Sequence, residues 1–479
     1  MFKFKGNFID KQAFHWQVLF IAIPTMFSFL SDYTYQVIDA YWVASLGKGI
    51  PTAVIISGAI FAFFLAFNEI VGVSTIPIFA KAFGSNDKER TGYVIFQGVF
   101  FKLMLGIVSS ILFLLFTNNF LFLYTDNAEI LANTKAYSNI IFISLMFIMP
   151  YATIFTALRT LGHADKTFYI SALCTIMNLV LDPVLIFGFG HKAHIDFPLG
   201  KLLGNNSADI LGFSYRGMGL TGAALATVIT QGTCFLLSLI FLYKLTPDLK
   251  IFSISNIKKD NKLFKDFILI GLPMGMIAML WHFEQNFVTL LITDYGVEIS
   301  DGYSISMRIR GALMMSLFGL GIGSAIVCGK FCAQGKIDEI KAKMPKLSFL
   351  TSAMLAIIAI PIYIYSNELS NLFLTSEISI KTSSILLRFF IISEFIYLPS
   401  MLIQGAFEGN GKNLPLLIIN GIEIGLIELP ILYYTVRVLN LGYTAIPIVI
   451  MGVTTLHLIV MTTVFKKGLW IQNVRRIKL

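Results

Sequence analysis

Eight carboxylates lie inside long apolar runs of the sequence: Asp32, Asp39, Glu69 and Asp182 in the first half, Glu284, Glu394, Glu423 and Glu428 in the second. A charge at the centre of a bilayer costs at least about 2.5 kcal/mol, so an acid kept there is a candidate for an ion or substrate path. Asp32 and Asp39 are two helical turns apart on one face, with Tyr35 and Gln36 close to that stripe. Asn178 stands one turn before Asp182. Burial disfavours a charged carboxylate, and a second carboxylate nearby disfavours it further. Asp39 and Asp182, if brought together, could therefore take up a proton, or hold Na⁺ with help from amide and hydroxyl oxygens. The competing reading is that each acid only neutralises a buried base or bonds to backbone. Pro183 frees a carbonyl near Leu179 that a side chain or an ion could satisfy. Arg308 and Arg310 could counter buried acids or snorkel outward, and snorkelling is the plainer expectation.

These residues need a membrane-embedded scaffold, and composition supplies one. The chain has 479 residues, 56% hydrophobic and 13% charged, with a mean hydropathy of +0.78. A soluble domain carries roughly 25% charged residues, so this chain cannot cover a water-facing surface. A soluble enzyme, a nucleic-acid-binding domain and a disordered scaffold are excluded. Runs long enough to cross a bilayer fall near 16–45, 53–80, 93–116, 131–158, 167–189 and 219–243. A second set falls near 265–293, 302–329, 347–366, 383–407, 414–436 and 443–465. The first run is too long for a cleaved signal peptide. The expected fold is thus an all-α integral membrane protein of twelve transmembrane helices.

The net charge of +9 reads as topology rather than as affinity for nucleic acid. Lys3, Lys5 and Lys11 precede the first run; Lys81, Lys88 and Arg90 follow the second, and Arg159 and Lys166 the fourth. Lys244, Lys250, Lys258, Lys259, Lys262 and Lys265 follow the sixth. Lys330, Lys336, Lys341, Lys343 and Lys346 follow the eighth, and Lys466, Lys467, Arg475, Arg476 and Lys478 the last. With twelve spans all share one side, which places both termini in the cytoplasm, at a bacterial inner membrane if the cell is bacterial. The opposite loops hold Asp126, Glu129, Asp294, Glu298, Asp301, Glu368 and Glu377; the loop near 190–217, with Lys192, Lys201 and Arg216, is the exception.

The halves repeat at a constant offset. Pro24 and Pro273 differ by 249 positions (273 − 24), as do Gly47 and Gly296, Gly72 and Gly321, Lys81 and Lys330, Pro150 and Pro399, and Gly162 and Gly411. Two six-helix lobes related by an internal repeat follow: residues 1–243 and 265–479, joined by a basic cytoplasmic linker at 244–264. An even number of spans per half makes the repeat parallel, with a cleft between lobes that rock to give alternating access. The acids do not repeat: the counterpart of Asp39 is Val288. That asymmetry assigns ion coupling to the first lobe.

Asn178-Leu-Val-Leu-Asp182-Pro183-Val-Leu-Ile-Phe-Gly188 resembles the fifth-helix signature of the multidrug and toxic compound extrusion (MATE) transporters. Gly219-Leu-Thr-Gly222-Ala-Ala-Leu-Ala-Thr227-Val-Ile-Thr-Gln231 is similar to the sixth-helix signature, and Arg159-Thr-Leu-Gly162 to the turn after helix four. The resemblance covers the whole chain. It implies that Asp39, Asn178, Asp182 and Thr227 form a cation site in the first lobe, as in the branch named after DinF. The second-lobe acids of the NorM-like branch align with Trp281 and Tyr397, although Glu284 and Glu394 lie nearby.

The expected activity is outward antiport of lipophilic, mostly cationic drugs against H⁺ or Na⁺ by a monomer in lipid, with no cofactor and no structural metal. Asp32, Tyr35, Gln36, Glu69, Glu284 and Arg308 are the cleft candidates, and abundant Phe, Tyr and Met suit cation–π and adaptable apolar contact. The alternative is a flippase for a lipid-linked oligosaccharide or cell-wall precursor, which would need a cationic cleft for pyrophosphate; only Arg308 and Arg310 hint at one. His282 and His457 stand isolated, which argues against an enzyme.

Overall fold

The computed structural model describes residues 12–47, 50–122, 124, 127–189, 215–253, 256 and 260–471. Lys3, Lys5, Lys11, Asp126, Lys192, Lys201, Lys258, Lys259, Arg475, Arg476 and Lys478 lie outside the described residues. Among the described residues, twelve helices are long and apolar enough to cross a membrane. The first six are α1 (Phe14–Ala44), α2 (Ile50–Gly84), α3 (Lys88–Phe122), α4 (Ala128–Thr160), α5 (Ala164–Phe187) and α6 (Leu220–Leu245). The second six are α7 (Asn261–Thr293), α8 (Val297–Ala333), α9 (Ile337–Ile364), α10 (Glu377–Asn410), α11 (Leu414–Val438) and α12 (Ala445–Lys466). A two-residue antiparallel ladder pairs Gly188 with Arg216 and Phe189 with Tyr215.

Several helices run a turn or more beyond their apolar windows because polar caps, rather than hydropathy, set the ends. Asp87 accepts from the Arg90 amide before α3, Asn127 from the Glu129 and Ile130 amides before α4, and Asp260 from the Leu263 amide before α7. Two helices are irregular. A tighter turn at Phe142–Ser144 interrupts α4, and α11 is π-wound over Gly421–Glu428 and again over Tyr434–Val438. The connector between the two sets of six runs from the end of α6 at Leu245 to the start of α7 at Asn261.

The even number of spans puts the start of α1 and the end of α12 on one face, together with the Lys and Arg of the turns; we call it the basic face. The buried clusters show how the lobes meet. Toward the basic face one cluster joins them, with Phe14, Val18 and Ala22 of α1 packed among Leu317 and Phe331 of α8 and Leu402 of α10. Another brings Phe267 of α7 among Val71 and Phe79 of α2. Here Gly271 of α7 lies so close to Ile70 that a Cβ would fall 1.4 Å from the Ile70 carbonyl oxygen, and only glycine fits. Toward the opposite face the clusters separate. Trp42, Phe64, Phe113 and Phe142 pack within the first lobe, and Val288, Tyr303, Phe390 and Leu432 within the second.

Polar contacts follow the same division. Lys81 donates to the Asn410 carbonyl at 3.0 Å and its repeat counterpart Lys330 to Gln17 Oε1 at 3.4 Å, so each lobe reaches into the other near the basic face. Toward the opposite face, Thr34 and Gln36 on α1 and His282, Gln285, Asn286 and Thr289 on α7 are exposed. Polar groups this deep in a span are tolerated where they line water rather than lipid. The lobes are therefore closed at the basic face and part toward the other, leaving a cleft.

Candidate functional site

The first-lobe candidates converge in the half of the molecule where the cleft opens. Asp39 lies near the end of α1, Asn178 and Asp182 near the end of α5, and Thr227 two turns into α6. Asn178 and Asp182 are completely buried, Thr227 is buried, and Asp39 is half-buried. Asn178 Nδ2 donates to Asp182 Oδ1 at 2.9 Å, the turn-to-turn contact their spacing allows. Asp39 and Asp182 are close enough to bear on one another electrostatically. Tyr35 reaches toward Thr227 without closing a hydrogen bond.

Close approach of α6 to α5 builds this arrangement. A Cβ on Gly222 would sit 2.3 Å from the Leu185 carbonyl oxygen, so a glycine there lets α6 press against the last turns of α5. Thr227 follows on the same helix, five residues further along. The sequence missed one member of the site: Tyr137 of α4, buried and facing both Asp39 and Asp182. A tyrosine in an apolar run carries no mark that separates it from the other seventeen, and only the fold brings it in.

The donor–acceptor balance is uneven. Asp39 Oδ1, Asp182 Oδ2, Asn178 Oδ1 and the Tyr35 hydroxyl are all buried without a hydrogen-bond partner. Buried polar atoms are almost always paired, so four unpartnered oxygens in this half of the lobe mark it as a candidate polar binding site. Carboxylate, amide and hydroxyl oxygens form a hard donor set, fit for a proton or for a small alkali cation. No lysine or arginine forms an ion pair with Asp39 or Asp182 among the described residues.

The remaining candidates go elsewhere. Asp32 lies near Ser171 and Arg159 in the first lobe, and the Arg159 guanidinium lies over the Phe29 and Phe155 rings. Gln36 is exposed in the cleft, and Glu69 is exposed and accepts from Asn68 Nδ2 at 3.2 Å. Glu284 lies against Glu428 in the second lobe. Arg308 is exposed, and its backbone carbonyl accepts from the Tyr33 hydroxyl at 2.6 Å.

Two expectations for the second lobe are corrected. Arg310 does not snorkel; its Nε donates to Glu394 Oε1 at 2.7 Å and its guanidinium covers Phe390, because burial of Glu394 leaves that carboxylate in need of a base. His457 is not isolated, since its Nδ1 lies 2.6 Å from Glu423 Oε2. One of the two arginines on which a pyrophosphate-binding cleft would rest is thus already paired.

The MatE family model matches the chain twice, over residues 24–184 and 273–434, starting on the two prolines that open the repeat. The chain belongs to the MatE family, and it is a multi-pass membrane transporter rather than an enzyme. It is 23% identical over 390 residues to the probable multidrug resistance protein YoeA of Bacillus subtilis (strain 168), covering 80% of this chain and 79% of that one. It is 22% identical over 438 residues to the multidrug export protein MepA of Staphylococcus haemolyticus (strain JCSC1435), covering 90% of this chain and 88% of MepA. Its fold matches that of a MOP superfamily transporter from Pyrococcus furiosus, with a TM-score of 0.83, 18% identity, and 98% of this chain and 99% of that one covered. The outward-facing conformation of a multidrug resistance MATE family transporter matches with the same score, identity and coverage.

Proposed function

We propose that this protein exports lipophilic, mostly cationic compounds in exchange for inward movement of H⁺ or Na⁺, and that Asp39, Asn178, Asp182 and Thr227 hold the ion. The observation that carries the reading is the convergence of unpartnered buried oxygens from Asp39, Asn178, Asp182 and Tyr35. The resemblance to the DinF-like branch and the names of relatives such as YoeA and MepA support it. Lysine and arginine concentrate on cytoplasmic loops, so the basic face is the cytoplasmic one and the cleft opens outward. The functional unit is one chain in lipid, since a single chain supplies both lobes and the whole site.

An ion entering from outside meets the Asp39–Asp182 pair on the open half of the first lobe. Binding cancels negative charge between α1 and α5, which changes how α1 packs in its lobe. Because α1 also packs on α8, that change is passed to the lobe contact and favours release of substrate outward. Uptake of substrate from the cytoplasm, after the lobes rock, favours release of the ion inward. Ethidium efflux from cells expressing Asp39→Asn or Asp182→Asn tests this. The reading predicts loss of efflux in both at normal protein level; wild-type efflux in both would overturn the coupling site.

A further inference from the structure

The two lobes end their fourth helices in the same turn. After α4, Gly162 has φ +84°, its amide donates to the Arg159 carbonyl at 3.1 Å, and the His163 amide donates to the Leu158 carbonyl at 2.8 Å. After α10, Gly411 has φ +72°, and the repeat-related bonds run from Gly411 to Glu408 and from Lys412 to Phe407, each at 2.9 Å. One residue of the turn differs in kind. Buried Leu161 in the first lobe stands where the second has buried Asn410 (410 − 161 = 249). The turn therefore needs no side-chain amide at that position, and the Asn410 side chain has another task.

Its partner shows what that task is. Asn410 Nδ2 donates to the Trp470 carbonyl at 2.7 Å, and Trp470 is completely buried although it lies beyond the end of α12. Gly468, with φ +74°, turns the chain back there. The Trp470 indole stacks on Phe465 at 5.3 Å between centroids, and its Nε1 donates to the Phe465 carbonyl at 3.1 Å. The segment after α12 is thus clamped onto the end of α10. The backbone of the same residue meets the other lobe, since the Asn410 carbonyl accepts from Lys81 Nζ of α2 at 3.0 Å. The last carbonyls of a helix lack partners within it, and a cation is favoured at that end. The seam is tight here. A Cβ on Gly329 of α8 would lie 2.6 Å from the Gly409 carbonyl oxygen and 2.9 Å from the Ala80 Cβ of α2.

We propose that Asn410 and Trp470 are positioning residues for a gate at the basic face: the segment after α12 fixes the end of α10 so that its last carbonyl receives Lys81 across the seam. The bond from Asn410 to Trp470 lies within the second lobe and moves with it. The bond from Lys81 crosses between lobes, so it is the one that breaks when the basic face opens. Loss of the inner bond frees the end of α10 to move off Lys81 and shifts the population toward the open basic face. This inference rests on the proposed rocking of the lobes and adds to it a named contact that holds one state.

The test is a double-mutant cycle on Lys81 and Asn410. Ser85→Cys and Gln334→Cys, exposed turn positions after α2 and α8, carry spin labels in full-length protein whose four native cysteines are replaced, in lipid nanodiscs. Double electron–electron resonance gives the ratio of long to short distances across the basic face. Asn410→Leu, which borrows the residue of the first lobe, and Lys81→Met should each raise that ratio about tenfold, the factor that one hydrogen bond to a charged group supports. The two together should raise it no further than Lys81→Met alone. Trp470→Ala should match Asn410→Leu, and Asn410→Leu decides by itself should Trp470→Ala not be recovered as folded protein. A wild-type ratio in Asn410→Leu or in Lys81→Met, or a further tenfold rise in the pair, overturns the proposal. A merely structural role would lower the stability of each variant without coupling Asn410 to Lys81. The readout is a distance measured without an ion gradient, so its failure is separate from failure of the proposed exchange.

Discussion

Arg310 and Glu394 show what a charged residue costs inside this protein and how the cost is offset. The Glu394 side chain is 2% exposed, and its Oε1 oxygen depends on the guanidinium. Removing one partner of a buried pair leaves the other uncompensated and costs about 3 kcal/mol, whereas replacing both with apolar groups is near neutral. Arg310→Ala should therefore lower the unfolding temperature in detergent well below wild type, and Arg310→Met with Glu394→Leu should recover most of the loss. At this scale the sequence was informative about which residues matter and less so about whom they meet. Asp39, Asn178 and Asp182 stand out by type and spacing, Thr227 only through the resemblance, and the structure joins Asn178 to Asp182 by a hydrogen bond. Arg308 and Arg310, two residues apart, point to different sides of α8; the choice between them depends on Glu394, 84 positions away. Tyr137 carried no sequence signal, and the closeness of Asp32 to Arg159 was not legible because Arg159 lies on another helix.

Helices place these groups, and the tightest constraint is where α6 meets α5. Gly222→Val would push α6 off the Leu185 carbonyl and shift Thr227, five residues on, relative to α5. The variant should insert normally and lose ion-driven transport. Gly232→Ala on the same helix, whose Cβ would meet nothing nearer than Phe147 at 3.8 Å, should transport as wild type. Apolar runs of the right length announced all twelve helices, and the 249-residue offset announced the pairing of lobes. The π-winding of α11 was not legible, since residues 414–436 read as one uninterrupted apolar run. That winding matters locally because Glu423 and Glu428 both lie on it, five residues apart, the spacing that an i→i+5 ladder brings together. Glu428 meets Glu284 there, and Glu423 meets His457.

At the scale of the whole molecule, closure at one face and opening at the other is what a sequence cannot declare, because a chain that works by the proposed alternating access encodes both states. The structure holds one of them. Asn286 is exposed on the open half of α7, and Ser324 is completely buried on α8 toward the basic face. In a cysteine-free background, Asn286→Cys should react with a membrane-impermeant maleimide added outside intact cells, and Ser324→Cys should not. The Asp39–Asp182 pair lies on the side of the opening, and in the proposed orientation an external ion would reach it first. The decisive measurement is substrate transport in proteoliposomes under separately imposed H⁺ and Na⁺ gradients, for wild type and Asp182→Asn side by side. The account predicts that one gradient drives transport by the wild type and that Asp182→Asn, reconstituted at equal level, responds to neither. Gradient-driven transport by Asp182→Asn at the wild-type rate would contradict it.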